Sequence, residues 1–502
     1  MYKNYFLTLF SLFFVNVFSQ NNDDSILHSF PVDIINYEFD SIDKKEFNYF
    51  NGVRPLFLIK NENSLKISYN YYSAINVGHP NIDNNAEFFA LNGSNNLFSL
   101  KFAYSNKWMS LFLEPYLIEY GSKIGGDTNA KGSYSILNHH YFRVHTPSIH
   151  SSGIRQSGLV LHYKGIGIGY INSNQWWGPS FHSSISITSN APGMESYIIG
   201  TFNDIKINKL LFGFRATLIP YKNQFDDEIY FSGLSTYLTL NAEPVITIGF
   251  FRTYLSGNVE SLTSQTSLNR TWTATDAFKL IFEPLFGQDK TGLPYTEPNS
   301  PGFDPWDEIL NAFINISFPR DNLKIYFEIA SDDNRGNLID LKAHWDHTLG
   351  YVLGFRKYYN INNYNIFIGS EYLSTKKSNT SKFYREYTNN FYAREFFNFF
   401  SFKGRRIGAH SGSNSDDLII MTGLEKNNRR ILVSYNQQRH GIKTFEYPEL
   451  KSEYIITISK KLSDQHSVFL SLEYEHIQNF GFIKEKTSES KLFWFGFSSI
   501  IW

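Results

Sequence analysis

Two stretches of the 502-residue chain combine residue types that could hold a polar ligand. The first is Asn174-Gln175-Trp176-Trp177-Gly178-Pro179. Sugar rings present apolar C–H faces bordered by hydroxyls, so a glycan site wants exposed aromatic platforms beside fixed hydrogen-bond partners. Trp176 and Trp177 next to Asn174 and Gln175 have that composition. The same residues also read as a girdle tryptophan pair followed by a rigid Gly178-Pro179 turn. The second stretch carries Arg405, Arg406, His410, Asp416 and Asp417. At a barrel mouth these groups could hydrogen-bond acidic or neutral sugars. Inside a lumen they would form an ion-pair network that fixes register, since arginine forks grip carboxylates bidentately and a lumen charge must find a partner. One cluster could serve both ends.

Other constellations carry less. His344-Trp345-Asp346-His347 offers two imidazoles and a carboxylate, but in a strand an i, i+3 pair points to opposite faces. Asp332-Asp333-Asn334-Arg335-Gly336-Asn337 is loosely like a calcium loop and lacks the distal bidentate glutamate, so it reads as an Asp/Asn-rich turn. No G-x-S-x-G nucleophile elbow and no local Ser-His-Asp spacing stands out. A non-enzymatic protein without metal or cofactor is the expectation. The absence of cysteine excludes disulfides, thiolate metal sites and anchoring at a lipidated cysteine. With 46 basic against 47 acidic residues there is no electrostatic footprint for nucleic acid.

The elements that must position these groups are strands. Leu65, Ile67, Tyr69 and Tyr71 interleave with Lys66, Ser68 and Asn70, and Phe98, Leu100, Phe102 and Tyr104 with Ser99, Lys101 and Ala103. The same period of two recurs at Phe212–Leu218, Leu323–Ile329 and Val468–Tyr474. With 33 Tyr and 47 Phe the chain is rich in aromatics, yet its mean hydropathy is below zero. A barrel that alternates lipid-facing apolar with lumen-facing polar residues averages out in this way; a helical membrane protein does not. No stretch after the N-terminus reaches the roughly 18 to 20 uninterrupted apolar residues of a transmembrane helix.

The two ends agree. Lys3, the apolar run Phe6 to Val17 and the small residue Ser19 form an export signal over residues 1–19. Residues 20–60 read as a short periplasmic segment, and residues 61–502 as the barrel. The final run from Lys491 to Trp502 ends on an aromatic residue, which suits a last strand that closes on the first near an interfacial girdle. Both faces of that run are apolar, pointing to packing against an interior plug. Strands of about 10 residues with alternating turns and loops accommodate roughly 14 to 18 strands in this length. Asp304 as N-cap, Pro305 at N1 and Asp307-Glu308 in the first turn predict a short helix to Phe313, which with the preceding loop, Gly287 to Gly302, could fold inward. The fold class is therefore an all-β transmembrane antiparallel barrel in a bacterial outer membrane, with the membrane lipids and the barrel-assembly machinery as implied partners. Oligomeric state is left open.

Asn174 to Pro179, followed by Ser183 to Gly193 with Ser189-Asn190-Ala191-Pro192, resembles the tryptophan-glycine-proline then serine-asparagine-alanine-proline signature of the Wzi-type capsule assembly proteins. Lys403 to Leu418, with Gly408, His410 and the paired Asp416-Asp417, is similar to that family's late arginine, glycine, histidine and aspartate stretch. The resemblance implies a barrel of about 18 strands acting as a lectin that holds capsular polysaccharide at the cell surface. Some members carry an N-terminal periplasmic helical bundle, for which the segment before residue 65 leaves little room. Related-looking proteins of gliding bacteria serve surface motility, so a gliding or adhesin component stands as one alternative and a passive or substrate-specific porin as another.

Overall fold

The protein is described by a computed structural model over residues 63–81, 83–122, 128–136, 150–223, 225–257, 272–282, 306–332, 349–376, 391–392 and 394–501. The export signal, the segment 20–60, Trp502, the 287–302 loop and the 344–347 tetrad lie outside the described residues.

Nineteen strand segments form one sheet in which sequence neighbours pair antiparallel. Met194–Thr201 and Ile205–Ile207 both pair with Leu210–Lys222 and make one interrupted wall strand, so the wall has eighteen. The last strand, Thr487–Ile500, pairs with the first, Ser64–Gly78, from Ser68 opposite Ile500 to Gly78 opposite Ser490. This closes the barrel and leaves no sheet edge in the ladder, the condition for placing strands in a bilayer. All five alternating stretches noted in the sequence lie in wall strands. Their apolar residues face outward: Leu65, Leu472, Phe212 and Ile325 are exposed, as are Leu111, Leu113 and Leu117 on Met109–Glu119. The inward positions are polar and buried, such as Asn311, Asn315 and Ser317.

The two ends of the barrel differ. One carries tight turns such as Asn362-Asn363 and Asn427-Asn428, whose residues all have positive φ (51°, 65°, 51° and 60°). Two successive left-handed residues give the turn whose twist matches that of the flanking strands, and asparagine tolerates this conformation. The other end carries the long connections. Three of these, residues 79–92, 174–193 and 391–415, turn into the lumen.

The expected helix at 304–313 is corrected over its described part, residues 306–313, while Asp304 and Pro305 lie outside the described residues. Trp306–Phe318 is a wall strand paired with Val245–Gly257 on one side and Leu323–Asp332 on the other. The capping residues are real helix signals, but Ile309, Asn311, Phe313, Asn315 and Ser317 are buried inward while Leu310 is exposed. Two hydrogen-bonded ladders and a matching period of two outweigh a local N-terminal signal. Among the described residues, these three long connections are inward-folded parts instead. The apolar inner face of the last strand has the expected cause: Trp494 packs 5.6 Å from Phe88 of the 79–92 connection.

Candidate functional site

Residues 174–193 leave the strand Ile166–Ser173 and return as Met194–Thr201. Within this excursion the Trp177 N–H donates to the Ile187 carbonyl (3.2 Å), making a narrow loop. Gly178 has φ +123°, where a side chain is strained, and a Cβ there would lie 2.8 Å from Glu328 Oε2. The loop's apolar residues Trp177, Phe181, Ile185 and Ile187 join inward wall residues such as Phe251, Phe313 and Phe367 in one buried cluster. An apolar core thus fills part of the lumen.

The wall holds this loop by its backbone. Glu371 accepts from the N–H groups of Phe181 (2.9 Å), His182 (3.3 Å) and Ser183 (2.7 Å), and from the Tyr326 hydroxyl (2.6 Å). Glu328 accepts from the Ile185 N–H (2.9 Å) and the Asn311 amide (2.6 Å). Arg356 donates to the Pro179 carbonyl (3.2 Å) and lies 5.6 Å from the Phe181 ring centre. Charged acceptors on backbone amides are among the stronger hydrogen bonds, and here they satisfy loop groups that no sheet could reach.

Residues 391–415 lie across the loop. The Thr188 N–H donates to the Ile407 carbonyl (2.8 Å), the Tyr392 hydroxyl to the Ile185 carbonyl (2.6 Å), and the Asn190 amide to the Arg406 carbonyl (3.0 Å). Asn190 Oδ1 accepts from both Arg405 (2.7 Å) and the Asn84 N–H (3.1 Å). One side chain therefore joins all three inner segments. Burial lowers the Arg405 pKa to about 10, with Asp83 and Tyr120 opposing the shift. Gly408 makes a tight contact between the two segments: a Cβ there would sit 2.1 Å from the Ile185 carbonyl oxygen. Gly408→Val is expected to unseat the two segments and to cost about 2 to 4 kcal/mol through overpacking against backbone, read as a lower temperature for losing the folded, heat-modifiable band. An unchanged band would remove Gly408 from the packing argument.

The polar centre is Asp417. Its Oδ2 accepts from His182 Nε2 (3.0 Å) and His410 Nε2 (2.9 Å), and Asn436 donates to its other oxygen. Burial lowers the His182 pKa, but the Asp417 carboxylate more than reverses this and leaves it pushed up to about 9. Asp416 instead binds Arg439 and Lys376 (3.0 Å). Arg406 faces Ser413 and Ser133 at 3.4 Å.

Of the second stretch, His410 and Asp417 are brought together at this buried centre, while Arg405 and Arg406 are buried against Asn190 and the Ser413 and Ser133 hydroxyls and Asp416 turns to the separate Arg439 and Lys376. For the first stretch, the expectation of exposed aromatic platforms is corrected. Trp177 is 0% and Trp176 3% exposed. The Trp177 indole N–H donates to Gln175 (3.2 Å), and the Asn174 amide donates to the Ala191 carbonyl (2.6 Å). A tryptophan beside Asn and Gln has the same sequence whether its ring faces a ligand or a barrel wall, and here it faces the wall. Ser189 and Asn190 form a turn within the inner loop, and Ala191 to Gly193 lead back to the wall.

A second charged cluster escaped the sequence reading. Lys451 lies 2.7 Å from Asp83 and 2.6 Å from Glu475, with Glu453 at 4.0 Å. His79 also contacts Glu475, and Asn81 contacts Glu473. The signal was present as charges at i, i+2 on adjacent strands, namely Lys451, Glu453, Glu473 and Glu475, all on the inward face.

No family model and no curated protein matches the chain. Solved structures are similar to the chain, one of them above a TM-score of 0.5. One is Wzi, an outer-membrane protein involved in group 1 capsule assembly in Escherichia coli and described as a carbohydrate-binding β-barrel. It matches with a TM-score of 0.57 at 11% identity, over 86% of this chain and 83% of that one. Pseudomonas aeruginosa OpdQ matches with a TM-score of 0.42 at 9% identity, over 88% of this chain and 99% of that one. Acinetobacter baumannii OccAB3 gives 0.44 at 7%, over 87% and 100%. The likeness to the capsule protein is one of barrel fold.

Proposed function

We propose that this chain is an outer-membrane protein that binds a surface polysaccharide and helps assemble or retain it at the cell surface. The observation that carries the reading is the partly filled lumen. Three inner segments occupy it through an apolar core and a buried polar network, which suits an anchor better than a passage. Outer-membrane barrels turn their long loops outward and their short turns to the periplasm, so the long-loop end becomes the contact surface. Its rim offers sugar-binding chemistry: Lys484 lies 5.7 Å from the half-buried Tyr447 ring, and Lys443 is exposed in the same connection as Tyr447. Lysines beside an aromatic face suit an acidic glycan. The Wzi barrel, carbohydrate-binding by its own description, supports the same reading at the level of fold.

The test is a deletion strain in which cell-bound and shed polysaccharide are measured separately, with spreading on agar recorded in the same cells. Shed polymer with normal synthesis is the expected result. Unchanged retention with lost spreading would favour a gliding or adhesin role instead. Replacing Tyr447 and Lys484 together with alanine is expected to lower cell-bound polymer roughly three- to tenfold while the folded barrel persists; unchanged retention would move the glycan surface elsewhere. A second reading, a substrate-specific channel, is favoured by the charged inner wall around Lys451 and Glu475. It requires conductance from the purified wild-type barrel.

A further inference from the structure

We infer that His182, His410 and Asp417 form a binding site for one divalent transition-metal ion, zinc being the reference case, where two inner segments meet the wall. The three ligands come from separate parts of the chain: the 174–193 loop, the 391–415 segment and the wall strand Asp416–Lys426. Their donor atoms converge on one point. Both imidazoles direct Nε2 at the same carboxylate oxygen, at 3.0 and 2.9 Å, and their rings stand 4.8 Å apart at 83°. Two imidazoles and a carboxylate are a donor set that zinc and neighbouring first-row ions take, and softer or harder ions do not prefer.

The dimensions agree. Bonds of about 2.0 to 2.1 Å in a tetrahedral site set neighbouring ligand atoms roughly 3.3 Å apart. The two nitrogen–oxygen separations need to open by only a few tenths of an ångström, which the half-buried His182 side chain can supply, and all three donor atoms lie within 4.8 Å of one another. An ion there replaces the protons that now bridge the imidazoles to Asp417. The fourth position faces Asn436 and Gln438, whose amides lie 3.3 and 3.4 Å from the two Nε2 atoms and can offer oxygen after a turn about the terminal bond, or hold a water.

A second observation lies behind His410. A metal-bound imidazole needs an acceptor for its other ring N–H. The Asn84 amide nitrogen lies 3.2 Å from His410 Nδ1, and its Oδ1 is buried with no hydrogen-bond partner among the described residues. Turning that amide presents Oδ1 to Nδ1–H, giving up the bond from Asn84 to the His182 carbonyl (3.0 Å). The acidic cluster of Glu453, Glu473 and Glu475 differs, because Lys451 already supplies its cation. A metal at Asp417 would cross-link two inner segments to the wall and hold the lumen closed.

The test uses the full barrel, purified in detergent without a histidine tag, stripped with EDTA and titrated with zinc chloride by calorimetry. Cobalt chloride is then followed by visible absorption. One ion per chain is expected, with the intense bands of four-coordinate cobalt bound through nitrogen. His182→Gln is expected to weaken binding on the order of 100-fold or more, and Asp417→Asn likewise, while Glu473→Gln leaves it unchanged. The absence of saturable binding to the wild-type barrel, a cobalt spectrum with oxygen ligands alone, undiminished affinity in His182→Gln, or loss in Glu473→Gln would each overturn the site. Should Asp417→Asn not fold, the wild-type titration and spectrum still decide.

Discussion

Glu371→Ala is expected to convert a closed barrel into a conducting one. The wild-type carboxylate receives three consecutive backbone N–H groups and the Tyr326 hydroxyl. Alanine leaves those donors buried beside an empty wall position, at about 1 to 3 kcal/mol for each group that stays unsatisfied. The wall ladder is untouched, since strand pairing uses main-chain groups, so the barrel persists and the loop is the part that yields. A bias of about 3 kcal/mol toward loop release corresponds to a rise in open probability on the order of 100-fold. Planar-bilayer recordings of wild type and variant check this, with Glu371→Gln expected to fall between them because its carbonyl oxygen can still accept. If Glu371→Ala remains silent and melts like wild type, the carboxylate clamp does not hold the loop in place.

Trp177→Ala carries the second large effect. Its ring is fully buried, lies 5.7 Å from Phe251, and is close enough to Gly233 that a Cβ there would come within 3.0 Å. Removing a buried tryptophan costs about 3 to 5 kcal/mol where the surroundings cannot collapse into the void, and a closed wall of paired strands is slow to collapse. Denaturant unfolding, followed by loss of the heat-modifiable band, is expected to shift to markedly lower denaturant, with Trp177→Phe intermediate. Glycan retention should fall only as far as the folded fraction falls. Full stability with lost retention would instead return Trp177 to the role of a sugar platform.

How much of the site was legible depends on which force placed each residue. The pair Asp416-Asp417 and the run Arg405 to His410 stood out through the family resemblance and because a lumen charge must find a partner, and the structure gives Asp417 two imidazoles, Asp416 two cations and Arg405 the Asn190 amide oxygen. His182 did not stand out, since nothing in Phe181-His182-Ser183 shows that His410 lies opposite. Trp176 and Trp177 were visible as chemistry-bearing but not as buried. Asp304 to Glu308 carried a local helix signal, but from Trp306 onward the chain pairs as a strand, on both sides from Ile309.

The sequence by itself determined the wall. Outward apolar residues alternate with mostly polar inward ones along much of the wall, a pattern tied to the geometry of an extended chain and therefore readable without neighbours. The asparagine pairs likewise specify turns through local backbone preference. Only the tertiary structure decided what fills the barrel. Glu371 meeting Phe181, Asn190 joining Asn84 to Arg405, and Asp417 gathering His182 and His410 are contacts between distant parts of the chain. No period announces them, because each exists only after closure brings the strands around the same enclosed volume.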